Sequence, residues 1–221
     1  MNSAFFSRLA HDLRGTASTA KMALLQLSKL QLDPSQQKFL DILDRNAQRL
    51  IRIADRLSRI TQLENGKAIY QMDLFNLGDM IRATAQETHT LENKSRIELV
   101  LQLSSSPIQF HGDPDWLSVM IRELVSNAIV CARKHVFITL QMETADQGLF
   151  MVADDGSGFS LPVIIDRFES NQNMRGMGVS LPLVHSIAQA HHMDLEFTNG
   201  RADSAACGAT VRVRFRLSQK I

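Results

Sequence analysis

The chain has 221 residues, with 24 Lys and Arg against 23 Asp and Glu, so its formal net charge at pH 7 is +1. This balance argues against binding to nucleic acid or to a membrane surface, which favour an excess of basic residues. The two cysteines, Cys131 and Cys207, are too few and too far apart for a disulfide framework. No apolar run approaches the roughly 20 residues that span a bilayer, and no signal-peptide pattern is present. We therefore expect a cytoplasmic protein, or the cytosolic part of a membrane-anchored one.

The first third of the sequence predicts a helical hairpin. Apolar residues recur at alternating spacings of three and four, which is the heptad pattern of helices that pack side by side. The first seam contains Phe6, Leu9, Leu13, Thr16, Ala20, Ala23, Leu27 and Leu30. The second seam contains Phe39, Leu43, Asn46, Leu50, Ile53, Leu57 and Ile60. Between the seams, Pro34 ends one helix and Asp33 or Ser35 caps the next. Because one apolar stripe per helix cannot enclose a core, we expect a homodimer that forms a four-helix bundle.

Beyond the hairpin, the pattern changes to strands interleaved with helices. The predicted strands cover residues 97–103, 136–142, 149–153, 195–198 and 210–217, and the predicted helices cover residues 114–133 and 181–190. This alternation predicts an α/β sandwich with helices on one face of a mixed sheet. The fold class is therefore α+β. We expect a dimerisation domain over residues 1–65, a linker over 66–76 and a second domain over 77–221.

His11 is the first candidate for chemistry. It lies two residues from both Leu9 and Leu13, so it takes an outward position on the first predicted helix. Neutral imidazole is a good nucleophile near pH 7. The adjacent carboxylate of Asp12 can accept the proton of one ring nitrogen and make the other nitrogen more nucleophilic. From this segment alone, a solvated surface histidine is the alternative.

A second group of candidates has the residue types of a nucleotide site. Glu123 and Asn127 are one turn apart on a predicted helix, so they share a face, and side-chain oxygens are the ligands that Mg²⁺ prefers. Asp154 ends a predicted strand and is followed by Gly156 and Gly158, which allow close approach of a backbone. Taken singly, a helix-surface asparagine and an ordinary Asp-Gly turn are the alternatives.

The polar segment at residues 171–178 predicts a mobile lid over a bound nucleotide. Gly176 and Gly178 precede a predicted helix whose N-terminus can receive phosphates, and Arg175 is a candidate contact for a γ-phosphate. The sequence contains no G-K-[ST] run, so this is not a Walker P-loop.

The order of these motifs resembles the catalytic core of a sensor histidine kinase, over residues 6–217. The resemblance implies a histidine-phosphotransfer domain followed by a GHKL-type ATP-binding domain, with ATP and Mg²⁺ as cofactors. It implies His11 as the phospho-acceptor and Asp12 as its acid/base partner. It also implies Asp154 as the acceptor of the adenine amino group, and Asn127 as a ligand of Mg²⁺. The expected partners are a second copy of the chain and the receiver domain of a response regulator.

Departures from the family pattern keep two other interpretations open. Gly15 stands where many members carry the Thr or Asn that positions a water for dephosphorylating the partner, which puts phosphatase activity in doubt. Glu123 resembles the water-activating Glu of type II topoisomerase and mismatch-repair ATPases, and it is a candidate Mg²⁺ ligand or base here. An ATP-hydrolysing GHKL-fold ATPase is therefore one alternative. A degenerate phosphotransfer or scaffold protein without kinase activity is the other.

Overall fold

The computed structural model of the protein describes residues 3–64, 70–92, 96–159, 180–201 and 204–217. Its helices are α1 (Ser3–Leu27), α2 (Pro34–Glu64), α3 (Leu77–Glu92), α4 (Pro114–Cys131) and α5 (Ser180–Ala190). Its strands are β1 (Asp73–Asn76), β2 (Glu98–Leu103), β3 (Gln109–Gly112), β4 (His135–Met142), β5 (Gln147–Asp154), β6 (Asp194–Arg201) and β7 (Ser204–Arg216). Helices α1 and α2 form one compact unit, and the remaining elements form a second, α/β unit. Over the described ranges, no helix has the length and apolar character needed to cross a membrane.

Asp33 determines where α2 begins. Its Oδ1 accepts hydrogen bonds from the backbone N–H groups of Ser35 and Gln36, at 2.8 and 2.9 Å. The side-chain oxygen of Gln36 accepts in return from the backbone N–H of Asp33, at 3.0 Å. This reciprocal pair is a capping box, with Pro34 at the first helical position. The predicted turn is confirmed, and Asp33 rather than Ser35 is the cap.

The contact between α1 and α2 does not use the predicted first seam. The residues buried on α1 are Ala10, Ala17 and Leu24, which lie one position beyond Leu9, Thr16 and Ala23, and those on α2 include Leu40, Ala47, Ala54, Leu57 and Ile60. Alanines matter here because their small side chains let the helix backbones approach. A pattern search weighted toward large apolar residues selects the neighbouring stripe instead, and that prediction was wrong for the contact within the hairpin.

The two polar members of the predicted seams also lie outside the hairpin contact. Thr16 is exposed, and its hydroxyl donates to the carbonyl of Asp12 at 2.9 Å. Asn46 is exposed, and its Nδ2 donates to the carbonyl of Ile42 at 2.9 Å. Each side chain therefore satisfies its polar group on its own helix and does not set the register between α1 and α2.

The α/β unit contains a five-stranded sheet in the order β2-β4-β5-β7-β6. Strand β2 is parallel to β4, and the other neighbours are antiparallel, so the predicted mixed sheet is confirmed. Strands β1 and β3 form a separate antiparallel pair. The sequence pattern did not predict these two strands or α3. The buried face of α3 includes Thr84, Ala85 and Thr88, so its apolar periodicity is weak.

Helices α3, α4 and α5 pack against the sheet. One face of the sheet supplies the apolar core, through Val136, Ile138, Leu140, Phe150, Val152, Val211, Val213 and Phe215. On the opposite face, Arg212 and Arg214 form ion pairs with Glu196 at 3.4 and 3.0 Å. Side chains alternate between faces along a strand, so the charged residues of β7 face away from the helices. The predicted layer arrangement is confirmed.

His191 joins the C-terminal end of α5 to the N-terminus of α4. Its buried ring accepts a hydrogen bond at Nε2 from the backbone N–H of Asp113 (3.1 Å), and its Nδ1 donates to the carbonyl of Ile187 (2.8 Å). These two bonds require the neutral ring with its proton on Nδ1. Burial lowers the pKa of His191, although the bond to Ile187 and the charge of Asp113 act in the opposite direction.

The α/β unit should lose stability in mild acid because of His191. Its pKa is lower in the folded protein than in the unfolded chain, so the unfolded chain takes up the proton first as the pH falls. We expect the free energy of unfolding to decrease as the pH is lowered through 6.5, the ordinary value for histidine. Denaturant unfolding at pH 7.5, 6.5 and 5.5 measures this. The pH dependence should be smaller in His191→Gln and unchanged in His111→Gln, which removes an exposed histidine. Equal slopes for all three proteins would contradict the assignment.

Candidate functional site

His11 is exposed on α1, as its outward position predicts. Its side chain is 86% exposed, and that of Asp12 is 69% exposed. Nδ1 of His11 lies 3.3 Å from Oδ1 of Asp12. When the ring is neutral, the carboxylate favours the tautomer with its proton on Nδ1, which leaves the lone pair on Nε2. The geometry therefore presents a nucleophilic nitrogen to solvent, where a large partner can reach it.

The surface around His11 is open, and an ion pair close to it links α1 to α2. One turn beyond His11, the guanidinium of Arg14 donates to Oδ1 of Asp55 from Nε at 2.8 Å, and its second nitrogen lies 2.6 Å from the same oxygen. At Gly15, no atom other than those of its chain neighbours and the local backbone of α1 lies within 4 Å of the position that a Cβ would take. Helix α1 continues through Gly15 without a break. A larger side chain would therefore fit beside His11, and the sequence supplies none.

Asp154 lies at the end of β5, buried beneath the turn that follows. Its Oδ1 accepts hydrogen bonds from the backbone N–H groups of Gly156 at 2.8 Å and Ala209 at 3.4 Å. Burial raises the pKa of Asp154, and these two bonds act in the opposite direction. Within the described residues, both bonds go to Oδ1, which leaves Oδ2 as the oxygen available to a ligand. The carboxylate of Asp154 is thus held in one orientation at the C-terminal end of β5, the central strand of the sheet.

Three glycines shape the backbone around Asp154. A Cβ at Gly156 would overlap the carbonyl oxygen of Cys131, and a Cβ at Gly208 would overlap the carbonyl oxygen of Asp154 itself. Gly158 has a φ of 79°, in the left-handed region that favours glycine. Gly208 was missed in the sequence. A glycine inside a strand signals close approach of another backbone, but the predicted strand began at residue 210 and left Gly208 outside it.

Asp155, the second carboxylate of the motif, has a structural role. Its carboxylate accepts hydrogen bonds from the backbone N–H groups of Arg133, Lys134 and His135 at 2.8 to 3.0 Å, and it contacts the ring of His135 at 3.1 Å. Burial opposes the charge, but these hydrogen bonds outweigh it and lower the pKa of Asp155. The residue therefore ties the end of β5 to the connection between α4 and β4.

Glu123 and Asn127 lie on one face of α4 and contact the same hydroxyl group. The Oγ of Ser180 donates to Oε2 of Glu123 at 2.6 Å and accepts from Nδ2 of Asn127 at 3.0 Å. Glu123 is only 7% exposed. Ser180 is the first residue of α5 and was not predicted from the sequence. Its position next to the glycine motif was the only available signal.

The donor set at Glu123 and Asn127 fits Mg²⁺ bound together with phosphates. Both side chains carry oxygen, and Mg²⁺ commonly takes one or two protein oxygens and completes its shell with phosphate and water. The described part of the chain contains no cluster of three or more His, Cys, Asp or Glu that could hold a metal alone. Arg175, Gly176 and Gly178 lie outside the described residues, so their roles remain predictions.

Comparison with known proteins extends these observations. Residues 112–219 match the family described as "Histidine kinase-, DNA gyrase B-, and HSP90-like ATPase". Sensor protein QseC of Escherichia coli (strain K12) is 27% identical over 202 residues, which cover 88% of this chain and 44% of QseC. The phosphate regulon sensor protein PhoR of Haemophilus influenzae is 27% identical over 214 residues, which cover 90% of this chain and 49% of PhoR. The chain therefore spans about half the length of these curated relatives.

A crystal structure of full-length ShkA in complex with AMPPNP has the same fold. Its TM-score is 0.78 at 16% identity, covering 100% of this chain and 47% of ShkA. The family match contains Glu123, Asn127, Asp154 and Gly208. The likeness to QseC and PhoR covers 88% and 90% of the chain, which is more than the α/β unit contains, so it extends into the helical unit. Residues 112–219 therefore form a GHKL-type ATPase domain, and the chain is similar over most of its length to sensor histidine kinases.

Proposed function

We propose that the chain is a histidine autokinase, which transfers the γ-phosphoryl group of ATP to His11 and then to an aspartate of a response-regulator receiver domain. The observation that carries the proposal is the exposed imidazole of His11, with Nδ1 beside the carboxylate of Asp12. The same chain contains an ATP-binding domain of the matching family. We further propose that these reactions take place in the cytoplasm.

The contact between His11 and Asp12 suits a nucleophilic attack by Nε2. A bond forms between Nε2 and the γ-phosphorus as the bond from that phosphorus to the departing ADP oxygen breaks. The proton on Nδ1 passes to the carboxylate of Asp12 or to water, so the ring does not accumulate positive charge. Positioning and charge neutralisation supply most of the catalysis of such a transfer.

In the nucleotide site, each residue group has a separate role. We assign Oδ2 of Asp154 to the adenine amino group, and Gly156 and Gly158 to close approach of the loop to the nucleotide. Asn127 and Glu123 would hold Mg²⁺, which would neutralise charge on the phosphates. Glu123 could instead act as a base. We place Arg175, Gly176 and Gly178 around the phosphates, as the sequence predicts.

Labelling with [γ-³²P]ATP tests this function against its alternatives. Autokinase activity predicts label on the protein that is stable in base and labile in acid, as a phosphohistidine is. The buried Glu123 favours the alternative of an ATP-hydrolysing enzyme, which predicts free phosphate without protein label. A scaffold protein predicts neither product. The labelled protein is then mixed with purified receiver domains, where transfer to an aspartate should make the label base-labile.

The helical unit supports the proposed homodimer. Most of the large apolar side chains that are exposed in the described chain lie on this unit: Leu9, Met22, Leu25, Leu27, Leu30, Phe39, Ile42, Leu43 and Leu50. An apolar surface of this extent is typical of a protein interface. A second hairpin would cover it in a four-helix bundle, and the predicted seam residues that the hairpin leaves exposed would then become buried.

Leu50→Glu should dissociate the dimer without unfolding the hairpin, because Leu50 is 43% exposed in the single chain. The substitution would bury a charge only in the interface, and we expect at least a tenfold weaker dimer in sedimentation equilibrium. Leu57→Glu should unfold the hairpin itself, since Leu57 is 4% exposed. Arg52→Glu, on an exposed position away from both stripes, should change neither property. A monomeric unmodified protein with full kinase activity at micromolar concentration would disprove the bundle.

Asp154→Asn should shift the preference of the site from adenine toward hypoxanthine. The amide oxygen can keep the backbone hydrogen bonds of Oδ1, which turns the amide NH₂ toward the adenine amino group. Two facing donors cost about 1–3 kcal/mol, so ATP affinity should fall roughly 5- to 150-fold. ITP presents an oxygen at that position and should lose less affinity or gain some. Calorimetry with both nucleotides measures this, with the exposed Asp194→Asn as control. Equal losses for ATP and ITP would place the base elsewhere.

A further inference from the structure

The hydroxyl of Ser180 connects two groups of the nucleotide site. We propose that Ser180 is a positioning residue, which turns the amide oxygen of Asn127 toward the cation. This inference rests on the proposed function, in which Asn127 holds Mg²⁺. Ser180 itself would touch neither the metal nor the reacting atoms. Its contribution would be to select one of the two orientations of the Asn127 amide.

The direction of the hydrogen bonds carries the inference. A hydroxyl group has one proton, and that of Ser180 lies 2.6 Å from Oε2 of Glu123. That oxygen accepts the proton, so Ser180 is the donor to Glu123. The lone pairs of the same hydroxyl can then only accept, and the sole donor that Asn127 offers is its amide nitrogen, at 3.0 Å. The opposite amide orientation would place two acceptors against each other.

This arrangement of hydrogen bonds determines which end of the Asn127 amide a cation would meet. With Nδ2 held by Ser180, Oδ1 is at the other end of the amide and is free to face an ion. A freely turning amide would present its NH₂ group for part of the time, and that group repels Mg²⁺. Glu123 anchors the chain of bonds because the residue is buried on α4, with only 7% of its surface exposed. Removing one hydroxyl would therefore release both neighbours.

Comparison of Ser180→Ala with Ser180→Thr tests this role, because threonine retains the hydroxyl. The measured quantity is the affinity for AMPPNP by calorimetry, once with excess Mg²⁺ and once with EDTA. Mg²⁺ should raise the affinity of the unmodified protein for AMPPNP. We expect this increase to be at least tenfold smaller in Ser180→Ala, whose affinity in EDTA should change less than twofold. Ser180→Thr should keep most of the gain. Binding in EDTA also reports that each variant is folded.

A spectroscopic test of the same role of Ser180 uses Mn²⁺ in place of Mg²⁺. The fraction of Mn²⁺ bound with AMPPNP, measured by electron paramagnetic resonance, should fall in Ser180→Ala and recover in Ser180→Thr. A gain from Mg²⁺ that stays within twofold of the unmodified protein in Ser180→Ala would overturn the inference. Equal losses with Mg²⁺ and with EDTA would also overturn it, since they indicate a purely structural role.

Asn127→Ala, measured in parallel, separates the inference from the proposed function. If this variant loses the gain from Mg²⁺ while Ser180→Ala keeps it, Asn127 binds the ion without help, and only the role of Ser180 is wrong. If Asn127→Ala keeps the gain, the proposed magnesium site is wrong and the inference falls with it. Loss of the gain in Asn127→Ala and in Ser180→Ala, with recovery in Ser180→Thr, supports both.

Discussion

His11→Gln should abolish incorporation of phosphate from ATP into the protein and leave the affinity for ATP within about twofold of the unmodified value. Glutamine is polar and of similar length, and it offers no nitrogen lone pair for attack on phosphorus. Of the proposed nucleotide ligands, those that the structure describes, among them Asn127 and Asp154, belong to the α/β unit, whereas His11 is on α1. This variant should therefore lose phosphorylation of the protein without losing its affinity for ATP.

Labelling with [γ-³²P]ATP and calorimetry on the same preparation measure the two effects. His111→Gln is the matched control, because His111 is also exposed and lies on β3, outside the proposed chemistry. It should label at the rate of the unmodified protein. Label that persists in His11→Gln would show that another residue accepts the phosphoryl group, and the assignment of the nucleophile would be wrong.

Gly208→Ala should destabilise the α/β unit by about 3 kcal/mol or more and remove ATP binding with it. The added Cβ would overlap the carbonyl oxygen of Asp154, which is backbone and cannot swing aside. Relief of the overlap requires β7 to move away from the end of β5, where Thr210 pairs with Ala153. Overpacking of a close contact costs typically 1–3 kcal/mol and more where backbone must move. At roughly 2–4 °C per kcal/mol for a unit of this size, Tm should fall by about 10 °C.

Thermal unfolding followed by circular dichroism measures this loss, and Gly78→Ala provides the control. The nearest atoms to a Cβ at Gly78 lie at 3.4 and 3.6 Å, which is ordinary van der Waals contact, so its Tm should change little. The comparison isolates the close approach from the general effect of replacing glycine. An unchanged Tm and full ATP affinity in Gly208→Ala would mean that β7 does not pass this close to Asp154.

The sequence by itself was sufficient wherever neighbouring residues decide the structure. The start of α2 follows from Asp33, Pro34 and Gln36, which lie within one turn of each other and satisfy the local backbone donors. Strands β4 and β5 follow from apolar runs that fit a sheet buried on one face. The Asp-Gly turn after β5 and the outward position of His11 also depend only on local spacing. The family resemblance rested on the order of the motifs that contain His11, Asn127 and Asp154, and the comparisons support it.

Only the tertiary structure decided which residues meet across long stretches of chain. Helices α1 and α2 each carry a wide apolar stripe, and packing selected the edge with Ala10 and Ala17 because small side chains allow close approach. Ser180 meets Glu123 across 57 positions of sequence, and Gly208 reaches Asp154 from a different strand. The local sequence around this serine and this glycine does not show which distant residues they contact. Their positions follow from how α5 and β7 pack, and that packing is the summed outcome of many weak contacts over the whole core.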